Sequence, residues 1–173
     1  VRIVDFPATP VATLEHRGDP RRLGDSIRRF IAWRRENALP PSRSATFNVL
    51  YDDERAVAPT EFRFDLCAAT ERPIAPNDHG VVASTLPAGR CAVLRHIGSD
   101  ANLRDSVLYL YAEWLPQSGA ELRDSPLFFQ RVRFYPDVPV ESGGVLYLID
   151  SKENLDAVRA SDGVRLWHIE RGS

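Results

Sequence analysis

Residues 11–32 read VATLEHRGDPRRLGDSIRRFIA, and residues 91–112 read CAVLRHIGSDANLRDSVLYLYA. The two stretches align without a gap at an offset of 80 residues, and 8 of their 22 positions are identical. The identical positions include a histidine, a glycine and an Asp-Ser pair. This agreement is far above chance and indicates an internal repeat, so one supersecondary unit is expected to occur twice.

Each copy of the repeat begins as a strand whose side chains alternate between two faces. In the first copy the two faces carry Val11, Thr13 and Glu15 on one side, and Ala12, Leu14 and His16 on the other. Gly18 and Gly98 are expected to end the strands, because glycine adopts a positive φ at little cost.

An amphipathic helix is predicted after each strand. Its apolar side carries Leu23, Ile27, Phe30, Ile31 and Ala32 in the first copy, and Leu103, Val107, Leu110 and Trp114, flanked by Tyr109 and Tyr111, in the second. We expect Arg28, Arg29, Arg34 and Arg35 to be mostly in solvent. Leu39-Pro40 and Leu115-Pro116 are expected to stop the helices, because a residue before proline avoids the helical region.

Further strands are predicted around each strand–helix unit. They are Val1–Val4, Thr46–Tyr51 and Glu61–Thr70 in the first half, and Val81–Thr85, Leu127–Tyr135 and Gly144–Ile149 in the second. This order predicts an α+β domain made of two pseudo-symmetric strand-helix-strand-strand repeats. It would have two main helices, a mainly antiparallel sheet and a central groove.

The predicted domain covers residues 1–149, with halves at about 1–75 and 80–149 joined by the linker 71–80. Residues 150–173 lie outside the repeat. We expect this C-terminal extension to be partly helical and to include residues at its end that come from an expression vector.

Composition narrows the function. The chain has 173 residues, 43% of them hydrophobic and 27% charged, which is typical of a globular protein and excludes general disorder. A net charge of −2 argues against direct binding of nucleic acid. No apolar run approaches the length of a membrane span, and no secretory leader opens the given sequence. Cys67 and Cys91 are expected to be reduced and buried, and this use of cysteine predicts a cytoplasmic setting.

Few motifs for chemistry are present. The sequence has no glycine-rich phosphate loop, no H-E-x-x-H and no Cys/His cluster, so neither a cofactor nor a metal is expected. The acidic run Asp52-Asp53-Glu54 could bind a hard cation, but a solvated turn is the favoured interpretation.

The repeated polar residues allow two interpretations. His16 and His96 could act as a symmetric pair that transfers protons, or they could support the strand-to-glycine turn in both halves. The Asp-Ser pairs at 25–26 and 105–106 could be catalytic, or they could satisfy free N–H groups at the helix N-termini. Repetition favours the structural interpretation in both cases. His79 and His168 have no partner visible in the sequence.

Aromatic residues are numerous in the repeated elements, and most are expected to be core. A few could line the groove, where an aromatic wall suits flat or cationic organic ligands. The aromatic residues concerned are Phe30, Trp33, Tyr51, Phe62, Tyr109, Tyr111, Trp114, Phe128, Phe129 and Tyr135.

Four segments in order, VRIVDFPATPVATLEHRGDP, LPAGRCAVLRHIGSD, YAEWLPQSGAELRDSP and RFYPDVP, resemble the GyrI-like small-molecule-binding domain. That family includes the gyrase inhibitory protein and the effector-binding domains of AraC-type transcription regulators. The resemblance covers residues 1–149. It implies two strand-helix-strand-strand units with a ligand groove between them that takes small, often hydrophobic or cationic, molecules.

Family members commonly carry a ligand-facing Glu in a P-x-x-E-x-Y segment. Here the corresponding segment begins at Pro126, and Phe129 or Gln130 falls at the acidic position, depending on the alignment. The resemblance transfers Trp114 and Tyr51 best. Together with the aromatic pattern it predicts the ligand-binding residues Trp114, Tyr51, Gln130, Phe129, Trp33, Phe30, Tyr109 and Phe62.

The favoured function is therefore a ligand-sensing module without chemistry of its own, either the effector part of a transcription regulator or a stand-alone multidrug-binding relative. Its partners would be a small organic ligand and a second copy in a homodimer, with neither nucleic acid nor membrane bound directly. One alternative is a hydrolase that detoxifies an electrophile, with Glu61, Glu113 or Asp65 as its acid or base. The other is a protein inhibitor of a topoisomerase.

Overall fold

The computed structural model describes residues 1–97 and 100–132, together with the backbone of four strands between residues 140 and 169. The chain forms two compact units. The first unit comprises Val1–Val93 and Ala120–Val132, and the second unit comprises Leu94–Gly119 and Arg133–Ser173.

The described strands of the first unit form two antiparallel sheets. Among the residues described there, the strands are β1 (Arg2–Phe6), β2 (Thr9–Arg17), β3 (Thr46–Leu50), β4 (Arg63–Ala69), β5 (Val81–Leu86), β6 (Gly89–Val93) and β7 (Leu127–Arg131). Five of them form one sheet in the order β5-β2-β4-β3-β7, and β1 pairs with β6. The predicted α+β class with mainly antiparallel strands is confirmed.

Helix α1 (Leu23–Glu36) covers one face of the five-stranded sheet. The core on this face consists of Ala12, Leu14, Phe30, Trp33, Leu39, Leu66, Ala68 and Val81. The alternation predicted for β2 is confirmed, because Ala12 and Leu14 lie in this core while Val11 belongs to a second apolar cluster.

The predicted apolar side of α1 is partly wrong. Ser26, Phe30 and Trp33 are buried, whereas Ile27 and Ile31 remain 39% and 43% exposed. The buried positions follow the spacing i, i+4 and i+7, so the stripe is shifted from the one expected. Ser26 is buried in the place where the apolar pattern predicted its neighbour Ile27.

Arg34 was expected in solvent, and this is wrong, since it is only 6% exposed. Its Nε donates to the Leu39 carbonyl oxygen at 2.7 Å, its Nη2 to the Ser44 carbonyl oxygen at 3.0 Å and its Nη1 to Thr46 Oγ1 at 2.6 Å. Burial lowers the pKa of the guanidinium. Arg34 thereby fastens the end of α1 to the segment that leads into β3.

The second unit contains α2 (Leu103–Leu108), a π-helical segment (Tyr109–Trp114) and α3 (Leu115–Ser118) in direct succession. Leu115-Pro116 does not end this helix, contrary to expectation. A proline ring clashes with the carbonyl four residues earlier in a regular α-helix, and the wider π turn before it relieves that clash. Gly119, at φ 66°, ends the helix instead.

The least exposed positions of this helix include Leu103, Val107, Leu110 and Trp114, as its apolar stripe predicts. Tyr109 and Tyr111, expected beside the stripe, are exposed. The helix of the first half ends at Glu36, so Leu39-Pro40 follows it rather than stopping it directly.

The described strands of the second unit form an antiparallel sheet in the order β11-β10-β9-β8. They are β8 (Val140–Ser142), β9 (Val145–Ile149), β10 (Leu155–Arg159) and β11 (Arg165–Ile169). The extension was expected to be partly helical, but β10 and β11 are strands. Pairing of β10 with β9 accounts for this, because strand formation depends on neighbouring strands more than on local propensity.

Some predictions fall on residues outside the described part. These are the glycine turn at Gly98, the part of the strand Leu127–Tyr135 that lies beyond 132, and Gly144. Among the residues described, no helix is long and apolar enough to cross a bilayer.

Candidate functional site

The histidines of the repeat make the same contact in both copies. His16 Nδ1 lies 2.8 Å from Ser26 Oγ, and His96 Nδ1 lies 2.9 Å from Ser106 Oγ. His16 is buried, and its Nε2 lies 3.2 Å from the carbonyl oxygen of Asp19 in the turn after β2. Each histidine therefore ties the segment before the helix to the first turns of that helix, which is a structural role.

The Asp-Ser pair of the first copy does not cap the helix backbone as expected. Ser26 is engaged by His16, and α1 has no side-chain cap. Asp25 forms ion pairs with Arg22 and Arg28 on the helix surface. His79 does have a partner, because its Nε2 lies 2.9 Å from Glu36 Oε2.

A cavity of about 310 Å³ opens on the face of the five-stranded sheet opposite α1. The described residues that line it belong to the first unit. The strands contribute Val11 and Thr13 of β2, Val49 of β3, Asp65 and Cys67 of β4, and Ser84–Leu86 of β5. The segments between strands contribute Tyr51 after β3, Pro87 after β5, and Asp124–Pro126 before β7.

Strand register explains which side chains meet in the cavity. β2 and β4 are antiparallel partners in which Thr13 faces Cys67 and Glu15 faces Asp65. Odd positions of β2 and β4 therefore share the cavity side, and even positions face α1. Beside the cavity, the rings of Phe6, Phe47 and Phe128 pack at centroid distances of 4.8 to 6.2 Å.

Asp65 is the buried charged residue of the cavity, with 5% of its surface exposed. Arg17 Nη1 donates to its Oδ1 at 2.7 Å, and the Tyr51 hydroxyl donates to its Oδ2 at 2.7 Å. Arg17 Nη2 also lies 3.3 Å from Glu15 Oε2. The carboxylate is thus compensated by a cation and oriented by a phenol.

Tyr51 follows β3 and stands at the polar end of the cavity. The guanidinium carbons of Arg17 and Arg63 lie 5.5 and 5.2 Å from the centre of its ring. Desolvation, together with the hydrogen bond to Asp65, raises the pKa of Tyr51 to about 12. The phenol therefore keeps its proton at neutral pH.

Cys67 and Thr13 form a second polar pair in the cavity. Thr13 Oγ1 and Cys67 Sγ are hydrogen-bonded at 3.4 Å. Burial raises the pKa of the Cys67 thiol to about 11, which keeps it protonated and weakly nucleophilic. Both cysteines are free, as predicted, although Cys91 is half-buried rather than buried.

The rim of the cavity is fastened across the turn between β5 and β6. Arg123 Nη1 donates to the Ala88 carbonyl oxygen at 2.8 Å, and its guanidinium lies so close to Gly89 that a Cβ there would require it to shift. Gly89 also has a φ of 151°, which side chains rarely permit. This contact places the neighbouring Asp124–Pro126 at the rim.

The acidic run after Tyr51 is engaged locally. Asp52 accepts hydrogen bonds from Nε and Nη2 of Arg63, both at 2.9 Å, and Arg63 lowers the pKa of that carboxyl. Asp53 accepts from the backbone N–H of Arg55 at 3.0 Å. In the described part of the chain, no group of three or more His, Cys, Asp or Glu side chains could hold a metal ion.

The predicted ligand-binding residues lie in different places. Tyr51 lines the cavity, while Phe30, Trp33 and Phe62 are buried and lie outside its lining. On β7, Gln130 is exposed and half-buried Phe129 lies 5.3 Å from the guanidinium of Arg131. Trp114 and Tyr109 belong to the second unit.

Sequence reasoning named Asp65 only as an enzyme candidate and did not select Thr13 or Cys67. Their signal was the odd positions of two strands that pair in register. Glu61 and Glu113, the other acid candidates, are exposed and do not line the cavity.

Comparisons with known proteins show which family and which relatives this chain matches. The model of the family described as the GyrI-like small molecule binding domain matches residues 1–150. The chain is similar to the probable transcriptional regulator YgiV of Escherichia coli K12, with 43% identity over 75% of this chain and 81% of the relative. It is 28% identical to a DNA gyrase inhibitor of Edwardsiella ictaluri, over 74% of this chain and 83% of that protein.

Solved structures show the same fold at low identity. The C-terminal domain of EcmrR resembles the chain with a TM-score of 0.52 and 15% identity, over 96% of this chain and 90% of that domain. In the EcmrR–DNA complex the TM-score is also 0.52 at 14% identity, and this chain spans 53% of the EcmrR chain.

Proposed function

Since the chain belongs to the GyrI-like small-molecule-binding domain family, we propose that the cavity of its first unit is the binding site for a small organic ligand. One observation carries the proposal: a buried carboxylate, Asp65, is held by Tyr51 and Arg17 inside an otherwise partly apolar cavity of about 310 Å³. Ligand pockets combine apolar walls with a few oriented polar groups at this scale.

Filling the cavity tests the proposal. Ser84 and Ala83 are neighbours on β5 and point to opposite faces: Ser84 lines the cavity, whereas exposed Ala83 pairs with Ala12 of the other face. We expect Ser84→Trp to abolish binding of aromatic compounds found by thermal-shift screening, because the indole occupies their space. Ala83→Trp is the matched control and should bind them as the unaltered chain does. Equal binding by both variants would place the ligand elsewhere.

For the biological role, the proposal is the effector module of a transcription regulator or a stand-alone relative. The 43% identity with a probable transcriptional regulator supports this role. The module would bind hydrophobic, aromatic or cationic compounds in the cytoplasm, as a homodimer and without direct DNA contact. Light scattering of the purified chain tests the dimer, and a gel-shift assay with random-sequence duplex DNA tests the absence of DNA binding.

Binding without catalysis is the mode that the cavity chemistry favours. The Cys67 thiol and the Tyr51 phenol both hold their protons at neutral pH, and Asp65 is already paired. No histidine is among the described residues that line the cavity. A turnover assay with electrophilic compounds tests the hydrolase alternative, and turnover that disappears in Asp65→Asn would establish it.

Inhibition of a topoisomerase remains the second candidate, because the chain is 28% identical to a DNA gyrase inhibitor. A gyrase supercoiling assay with increasing amounts of the chain tests it. Inhibition that persists in the cavity-filled variant Ser84→Trp would make this activity separate from ligand binding.

A further inference from the structure

The polar end of the cavity presents mainly hydrogen-bond acceptors. The Tyr51 hydroxyl donates its hydrogen to Asp65 Oδ2, so its oxygen can only accept a hydrogen bond from a ligand. A carboxylate has about four acceptor positions. The hydrogen bonds of Asp65 to Arg17 and Tyr51 use one position on each oxygen.

The same end of the cavity is poorly suited to a cation. Arg17 lies 2.7 Å from Asp65 and compensates its charge. The second carboxylate beside Arg17, that of Glu15 at 3.3 Å, is more than half exposed and is screened by solvent. The position over an aromatic ring that a ligand cation would take is already used at Tyr51, where Arg17 and Arg63 both lie within 5.5 Å of the ring centre. A cation could reach the ring only by displacing Arg17 from Asp65 or Arg63 from Asp52, and the exposed Asp124 at the rim is screened by solvent.

We propose that the cavity selects uncharged aromatic ligands bearing an O–H or N–H donor, and that Arg17 is the residue that disfavours permanent cations. This inference rests on the proposed function and narrows its range of ligands, because permanent cations would bind the same cavity more weakly than uncharged aromatic compounds. The donor would bond to the Asp65–Tyr51 pair, and the ring would lie against the apolar side chains of Val11, Val49 and Leu86.

Three probes of nearly equal size test the selection by calorimetry: 2-naphthol, 2-methoxynaphthalene and N-methylquinolinium. They share a bicyclic ring and differ in a donor and a charge. We expect naphthol to bind about tenfold more tightly than its methyl ether, because its donor meets a charged acceptor. N-methylquinolinium should bind most weakly of the three.

Two variants assign the effect to residues. Arg17→Gln should strengthen binding of N-methylquinolinium about tenfold, because the Asp65 charge is then uncompensated. Asp65→Asn should reduce the preference for naphthol over its ether to about threefold or less, because charge assistance is lost. Arg21→Gln is the matched control: it removes the guanidinium of the exposed Arg21–Asp19 pair, lies outside the cavity lining and should change no affinity.

The outcomes separate the two proposals. If none of the probes binds, the cavity is not the ligand site and the proposed function fails. If all three bind with equal affinity, the proposed function stands and the selection is overturned. Unchanged quinolinium affinity in Arg17→Gln overturns the role of Arg17, and this arm decides the matter if Asp65→Asn does not fold.

Discussion

The two faces of the five-stranded sheet are built by alternate residues of the same strands, yet they differ in what covers them. On one face, Ala12 and Leu14 are packed beneath Phe30 and Trp33 of α1. On the other, Thr13, Asp65 and Cys67 border a cavity. Period-two alternation therefore lets one set of strands serve two purposes.

The difference separates the packed core from the cavity that we propose as the ligand site. The α1 face is filled by apolar side chains, and close packing of this kind supplies most of the stabilising free energy. The cavity face leaves space empty and buries an ion pair, which contributes little net stability. Substitutions on the two faces should consequently have separable effects on folding and on ligand affinity.

The largest expected effect is on the α1 face. Trp33→Ala should lower the free energy of unfolding by about 4 kcal/mol, because it removes a large buried ring and leaves a cavity. Urea denaturation measures the change. Ile31→Ala on the exposed side of the same helix is the control and should cost less than about 1 kcal/mol. Equal losses in the two variants would refute the assignment of this core.

The end of α1 comes next. Arg34→Met keeps the apolar stem but leaves two carbonyls and a hydroxyl without their donor, so the free energy of unfolding should fall by about 3 kcal/mol. The exposed neighbour provides the control Arg35→Met, which should stay within about 0.5 kcal/mol of the unaltered protein. Equal losses of unfolding free energy in the two variants would contradict this role of Arg34.

The cavity face should respond to alkaline pH. The ordinary pKa of a cysteine thiol is 9.0, whereas Cys67 in the folded state reaches about 11, so only the unfolded state loses this proton between those values. The contribution of the Cys67 thiol to stability is fully present below pH 9, and the free energy of unfolding should decline by about 2 kcal/mol as the pH rises to 11. Half-exposed Tyr51 contributes a smaller decline between pH 10 and 12. Urea midpoints between pH 8 and 11 measure this slope, which should be shallower in Cys67→Ala; an identical slope contradicts the prediction.

The smallest effect concerns the bond that links β2 to α1. Ser26→Ala removes the partner of His16 Nδ1 and should cost about 1 kcal/mol of unfolding free energy. Ser106→Ala removes the same bond at half-buried His96 and should cost less, because solvent can replace the lost partner. Chemical denaturation of both variants gives the order, and a larger loss for Ser106→Ala would reverse the argument.

Much of the fold was predictable because the repeat and the alternation in β2 are local patterns. Which side of α1 is buried was not predictable, because a hydrogen bond to His16 holds the polar Ser26 in the interior and no apolar pattern reveals that bond. Arg34 was misplaced for a similar reason, because its acceptors lie in a loop and at the start of β3.

The candidate site was harder to predict than the fold. Tyr51 emerged from its aromatic character and from the family resemblance. Asp65 has its partner Arg17 at a distance of 48 residues in sequence, and no local pattern joins them. Register between β2 and β4 creates the pair, so a single strand read alone could not show which carboxylate is buried.

Strand β7 has a consequence for the order of events during synthesis. It pairs with β3, although all of residues 94–119 lie between the two strands in the chain. Until residue 131 has left the ribosome, one edge of β3 has no neighbouring strand and can pair with other chains. The same segment delivers Asp124–Pro126 to the rim of the cavity. A nascent chain therefore completes its five-stranded sheet and the cavity in a single late step, and such long-range pairing favours slow folding.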